Sequence, residues 1–307
     1  MNEIERKINL SKTYKVSIDE DNYPTNLKKI KNPPSVLYYR GSLPKSDKPT
    51  VAIVGARNAS EYGLTTGRAI ARELARQDIQ VISGLALGCD TSAHIGALDV
   101  SKPNYAVLGC GVDTCYPTYN QDIYSRILDC GGGIISEQPD GTPAYASNFP
   151  MRNRIISALA DAVIIIEARL KSGSLITANY AIEQGKDVFA LPGKITDTLS
   201  QGTNDLIRQG AFILSSIYDV LDYYHVSFGK KMEPIKFDVE KLSYEEKLIY
   251  KAMEELGKDS HHIDEIVEKT NISPSRCMIV LTSLQINGYV ESNTPSYYKI
   301  ADLPYYA

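Results

Sequence analysis

The 307-residue chain has no run of about 18 apolar residues, so it offers no segment able to cross a bilayer as a helix. Its first residues, MNEIERKINL, lack the apolar stretch of a secretory signal. Cysteines are few, five at irregular spacing, which excludes a disulfide framework and fits reduced thiols and a cytoplasmic location. Positive charge is not in excess either. The formal net charge is -4, and residues 50–222 hold 13 Lys+Arg against 18 Asp+Glu. A uniformly basic surface is thereby excluded. Any polyanion binding has to come from a local cation cluster and from oriented backbone N–H groups.

Nucleotide-binding fingerprints are missing as well. The turn after VAIVG (51–55) carries no G-x-G-x-x-G, and the next apolar run ends in Ser83-Gly84 instead of an acidic residue that would grip a ribose. GCGVDT (109–114) is a partial match on a later run, and no G-x-x-x-x-G-K-[ST] exists. Catalytic groups are scarce. His94 lies in a helical pattern after Asp90 and reads as a packed histidine, because an acid–base role lacks a nucleophile to serve. Cys110 and Cys115 do not form C-x-x-C and read as buried thiols, while His261-His262 opens a helix at the surface. Glu167 closes an apolar run, where it could cap a helix, pair with an arginine or orient a ligand. No cofactor, metal or catalytic residue is expected.

What is present is alternation. Apolar runs at 51–55, 79–84, 105–109, 133–136, 162–168, 187–193 and 211–216 alternate with helical patterns near 61–77, 88–99, 120–129 and 174–185. Runs apolar throughout are strands covered on both faces, and their alternation with helices predicts an α/β fold with a doubly wound, mostly parallel sheet. Residues 1–49 read as a short lead-in, 50–222 as the sheet domain, 223–240 as a linker and 241–307 as a small winged-helix domain. In that last part, helical patterns at 242–257, 261–269 and 273–287 precede the strand-like YVESN and YYKI.

A parallel sheet takes its ligand at the carboxyl ends of the strands. Here those ends read GARNASEYG, SGLALGCD, GCGVDTCYP and EARLKSGS: small residues leading into helix N-termini, suited to phosphate. Arg57 follows the first run directly. Arg152 and Arg154 open a helix, where the macrodipole disfavours cations, so they imply an anionic partner or a buried carboxylate. Tyr62, Tyr145 and Phe149 stand close by in sequence, as single-stranded nucleic acid would use them, although aromatics also pack in cores.

The longest of these motifs carry a resemblance. VGARNASEYG, SGLALGCD, AVLGCGVDTCYPTYN, GIISEQP, NFPMRNRIISALAD, EARLKSGSLITA, DVFALPG and GTNDLIRQGA occur in the order found in the DNA-processing protein A family (DprA, also called Smf), over roughly residues 22–222. The resemblance implies an extended Rossmann-like fold that forms a homodimer and binds single-stranded DNA without catalysis. It implies a role in natural transformation and DNA recombination, protecting incoming strands and loading RecA. It places DNA contacts at Arg57, Ser60 and Tyr62, at Ser83 and Gly84, at Phe149, Arg152, Asn153 and Arg154, and at Lys171, Ser172, Gly173 and Ser174. It assigns dimer or RecA contact to Leu206, Ile207 and Phe212. Three departures stand out: about 20 residues ahead of the lead-in where many relatives have a helical domain, TYNQD (118–122) without basic residues, and Cys89 where isoleucine is common. The competing reading is a nucleoside-phosphate hydrolase of the lysine-decarboxylase-like type, but its P-G-G-x-G-T-x-x-E signature is absent. Arg276 alone charges the presumptive recognition helix of the winged-helix domain, which favours protein contact over duplex reading.

Overall fold

The computed structural model describes residues 12–228, 239, 242–257, 259–286, 289–294 and 296–300. The chain divides into two units, Met1–Met232 and Glu233–Ala307. Among the described residues the larger holds nine strands: β1 (Tyr14–Ser17), β2 (Val36–Gly41), β3 (Thr50–Val54), β4 (Gln80–Ser83), β5 (Asn104–Leu108), β6 (Gly133–Ser136), β7 (Ala162–Ile165), β8 (Asp187–Ala190) and β9 (Phe212–Ile213). They form one sheet in the order β1-β2-β6-β5-β4-β3-β7-β8-β9. Every ladder from β6 through β9 is parallel, and only β1–β2 and β2–β6 are antiparallel.

The helices are α1 (Thr25–Lys28), α2 (Glu61–Arg76), α3 (Cys89–Asp99), α4 (Gln121–Asp129), α5 (Asn148–Leu159), α6 (Gly173–Glu183), α7 (Gln201–Arg208) and α8 (Ile217–Phe228). The central strands β3 to β7 are buried along their whole length, as the unbroken apolar runs require when helices cover both faces. The doubly wound, mostly parallel sheet expected from the alternation is therefore the one observed.

Two parts of the expected layout differ. The lead-in is not a separate extension: Val16, Leu37, Tyr23 and Leu27 share one apolar cluster with Ala52 and Val163. Its strands pair onto β6 and continue the sheet, a pairing that local periodicity in so short a segment does not announce. Residues 223–228, assigned to the linker, belong to α8; Tyr224 is fully buried and its hydroxyl donates to the Thr50 carbonyl at 2.8 Å. Residues 229–238, the next part of the expected linker, lie outside the described residues.

The smaller unit has helices α9 (Tyr244–Leu256), α10 (Ile263–Thr270) and α11 (Pro274–Ile286) and a three-stranded sheet of β10 (His261–His262), β12 (Tyr297–Ile300) and β11 (Val290–Thr294), in that order. This is a winged helix. Ser243 and Glu246 form a capping box at α9, and His262 does the same with Glu265 at α10. His261-His262 is thus an edge strand that caps a helix rather than a helical turn. Arg276 is held by Glu245 at 2.6 Å.

His94 of α3 is fully buried, with Nδ1 2.7 Å from the Asn104 side chain at the start of β5. Burial lowers its pKa from 6.5 to about 4; the bond to Asn104 opposes this, and the charge of Arg152 adds to it. The unfolded chain thus takes up a proton that the folded one refuses. The stability tied to the neutral ring is fully present above the unfolded value and is lost as pH falls from about 6.5 to about 4, by about 3 kcal/mol. Urea unfolding across that window is expected to show the loss in the wild type and a flatter profile in His94→Gln. In the lead-in, Leu37→Ala is expected to cost about 2–5 kcal/mol while leaving a single unfolding transition. A separate early transition for the lead-in would show that it folds apart from the sheet.

Candidate functional site

Strand order reverses between β3 and β7, so the crevice at their carboxyl ends is the switch point at which doubly wound sheets take ligands. An open cavity of about 740 Å³ lies there. Its main walls are the turn Gly55–Asn58 after β3, the N-terminal half of α5 and the segment leading from Arg169 into α6, with Asp90 and Tyr116 completing the lining.

Arg152 forms the back wall. It is 6% exposed and donates through Nη1 to the Gly84 carbonyl at 2.8 Å and to the Val107 carbonyl, at the ends of β4 and β5. Asp90, beneath it, accepts from the Gly84 N–H at 3.0 Å. Burial lowers the arginine to about 10, while the negative charge of Asp90 opposes the shift. Burial likewise raises the Asp90 carboxyl, against the attraction of Arg152. A Cβ on Gly84 would lie 2.7 Å from both Arg152 Nη2 and Asp90 Oδ2, so the backbone here is shaped around the two charges.

Phe149, one turn earlier on α5, gathers the front of the site. The guanidinium carbons of Arg57 and Arg152 sit 5.7 and 5.9 Å from its ring centre, and Tyr116 packs tilted against it at 5.4 Å. Asn148 donates to the Gly109 carbonyl at 3.0 Å, which fixes α5 to the loop carrying Tyr116. Asn153 accepts from Arg152 Nε at 3.2 Å and donates to the Gly173 carbonyl at 3.3 Å, joining α5 to the entrance of α6. Ser172 caps α6 by accepting from the Ser174 N–H. A Cβ on Gly173 would meet nothing within 4 Å, so the space in front of this first turn is open.

Arg57, Arg169 and Lys171 line the cavity, are exposed, and have no carboxylate partner among the described residues. Free cations, a paired aromatic platform and an open helix N-terminus together favour a phosphate-bearing, base-bearing ligand. The lining contains one carboxylate, Asp90, and no histidine, cysteine or glutamate among the described residues. Cys110 and Cys115 are buried, and burial pushes both thiols up, Cys115 to about 11.

Of the residues singled out from sequence, Arg57, Phe149, Arg152, Asn153 and Lys171–Ser174 meet at this cavity. Others do not line it. Ser60 is bonded to Glu167, Tyr62 reaches the Pro192 carbonyl, and Ser83 is wholly buried against the Ile53 carbonyl. Gly84 lies behind Arg152. Arg154 is buried in an internal ion pair with Glu137 at 2.7 Å, and it also donates to the Asn32 carbonyl. Arg152 and Arg154 are two residues apart, about 200° around the helix, so the R-N-R cluster splits between cavity and core. Asn58, Tyr116 and Arg169 line the cavity without having been singled out. All three stand at the strand ends GARNASEYG, GCGVDTCYP and EARLKSGS, and that position was the available signal. At the far edge of the sheet, Leu206 is in the core and Ile207 is half-buried, whereas Phe212 is 52% exposed and stacks on Phe189 at 5.2 Å.

The model of the family described as DNA recombination-mediator protein A matches residues 15–225, and the DprA winged helix domain matches 240–293. Protein Smf of Escherichia coli K12 is 34% identical over 289 residues, 93% of this chain and 77% of that protein. DNA processing protein DprA of Streptococcus pneumoniae R6 is 41% identical over 208 residues, 67% of this chain and 72% of its own. Among solved structures, DprA from Streptococcus pneumoniae superposes with a TM-score of 0.65 at 38% identity, over 72% of this chain and 78% of that one. DprA from Helicobacter pylori, described for its unique single-stranded DNA binding mode, gives 0.62 at 31%, over 70% and 97%. With its sheet, its winged helix and most of its length matched, the chain belongs to the DNA recombination-mediator protein A family, the DprA or Smf proteins.

Proposed function

We propose that this protein binds single-stranded DNA at the switch-point cavity. The observation that carries the reading is the convergence of Arg57, Arg169 and Lys171, none with a carboxylate partner among the described residues, on the Phe149–Tyr116 pair and the open N-terminus of α6. Phosphates are drawn by the cations and by the positive N-terminal end of α6, and a base lies against the aromatic platform. A duplex, whose bases are already stacked and paired, cannot use that platform. The single-stranded DNA binding of the Helicobacter pylori relative supports the same reading.

From this binding follows a mediator role in the cytoplasm: shielding incoming strands during transformation and presenting them to RecA. The exposed edge at Phe212–Ile213 is the surface for a homodimer, with Ile207 beside it for a protein contact. No catalysis is assigned, because the cavity pairs no base with a nucleophile among the described residues. In the winged helix, Arg276 is engaged by Glu245 while Met278 and Ile279 face solvent, which favours a protein contact over duplex reading.

Fluorescence anisotropy with oligo-dT is expected to show binding that weakens with salt. Arg57→Ala combined with Lys171→Ala is expected to flatten the slope of log K against log salt by about 0.7 for each phosphate no longer neutralised, and to weaken binding by at least about tenfold. Arg154→Met is expected to leave the slope unchanged, since Arg154 faces Glu137; equal slopes for wild type and the double variant would remove the proposed groove. Phe212→Glu is expected to shift the solution mass from dimer to monomer in light scattering. A variant that remains dimeric places the interface elsewhere.

A further inference from the structure

Dinucleotide-binding sheets seat a diphosphate on the N-terminus of the helix after the first parallel strand, against a close glycine turn. The corresponding place here is the turn from Gly55 to Ser60, between β3 and α2, and it is filled from within. Glu167, just past β7, is 1% exposed. Its carboxylate accepts from the Ser60 N–H at 2.9 Å and from the Ser60 hydroxyl, whose oxygen in turn accepts from the Gly63 N–H at 3.1 Å. A Cβ on Gly63 would lie 2.5 Å from Glu167 Cδ and Oε2, so the first turn of α2 is moulded to this side chain. Beside it, a Cβ on Gly55 would lie 2.6 Å from the Cys89 Sγ, so α3 occupies the space by which a ligand would approach that backbone.

We propose that Glu167 is a specificity-determining residue: a resident anion that closes the first-turn phosphate site to nucleoside di- and triphosphates and to dinucleotides. Its negative charge already matches the positive end of α2, repels a second anion and fills the volume a diphosphate needs. A DNA strand offers single phosphates spaced along a backbone and is served by the neighbouring cations of the cavity. Abundant free nucleotides, which carry their phosphates together, find the usual seat taken. The purpose of this exclusion rests on the DNA-binding reading of the cavity, but the closure itself does not.

The test uses the full chain with ADP and inorganic pyrophosphate as probes. In 15N-labelled wild type, neither probe is expected to move the amide signals of Ser60 and Gly63; pyrophosphate shifting both would overturn the proposal without any variant. Glu167→Ala, checked for folding by circular dichroism, is expected to bind ADP at least about tenfold more tightly than wild type in calorimetry. Glu167→Gln keeps the volume but loses the charge and is expected to gain less affinity for ADP than the alanine variant. A folded alanine variant with no gain, or an equal gain in the glutamine variant, would equally sink the idea. Oligo-dT anisotropy on the wild type reports the cavity separately. Its failure would remove the DNA reading, while the ADP titration still decides the role of Glu167.

Discussion

A guanidinium taken out of water must find acceptors for its N–H groups, and the arrangement at the switch point follows from how Arg152 does so. It bonds to the Gly84 carbonyl just past β4 and to the Val107 carbonyl near the end of β5. Satisfying them pins α5 across those ends. Phe149 then projects toward the crevice one turn away, and Asn153 reaches the entrance of α6. The cation that looked misplaced at a helix start is therefore the clamp that sets the distance between the aromatic platform and the N-terminus of α6. Asp90 keeps its charge from standing alone, and Gly84 keeps the space between them free.

Much of this was legible in the sequence because the central strands are buried on both faces. A residue string such as AVIII or YAVL leaves little choice of environment, and the loops after such strands must lie at one edge of a parallel sheet. The crevice and most of its walls follow from that constraint. The division of labour between Arg152 and Arg154 does not, since two cations two residues apart face opposite sides of a helix and only its packing decides which side meets the crevice. Ser60 and Ser83 were equally out of reach. Both stand at the right edge of the sheet, Ser60 after β3 and Ser83 at the end of β4, but their hydroxyls are satisfied inward, one by Glu167 and one by the Ile53 carbonyl. Loop membership is a sequence property, whereas the direction of a short polar side chain depends on the partner that waits for it.

The lead-in shows the complementary case. Antiparallel addition of β1 and β2 to β6 is a long-range pairing, and its signal in sequence is no more than a few alternating apolar residues. Its consequence is large, because Val16, Tyr23, Leu27 and Leu37 complete the cluster that also holds the underside of α5 through Ile155 and Leu159. The Arg154–Glu137 pair and the bond to the Asn32 carbonyl fasten the same helix on that side. The clamp at the crevice and the lead-in thus grip α5 from opposite ends.

The brevity of β9 has an effect of its own. A long apolar edge strand would offer a template on which further chains could stack without end. Two residues, Phe212 and Ile213, bonded on one side to β8, offer too few ladder bonds to fix such growth, and the next segment turns at once into α8. What remains is a small greasy spot whose grip comes from side chains rather than main chain. Main-chain pairing at this edge therefore has little with which to extend the sheet from one chain to the next.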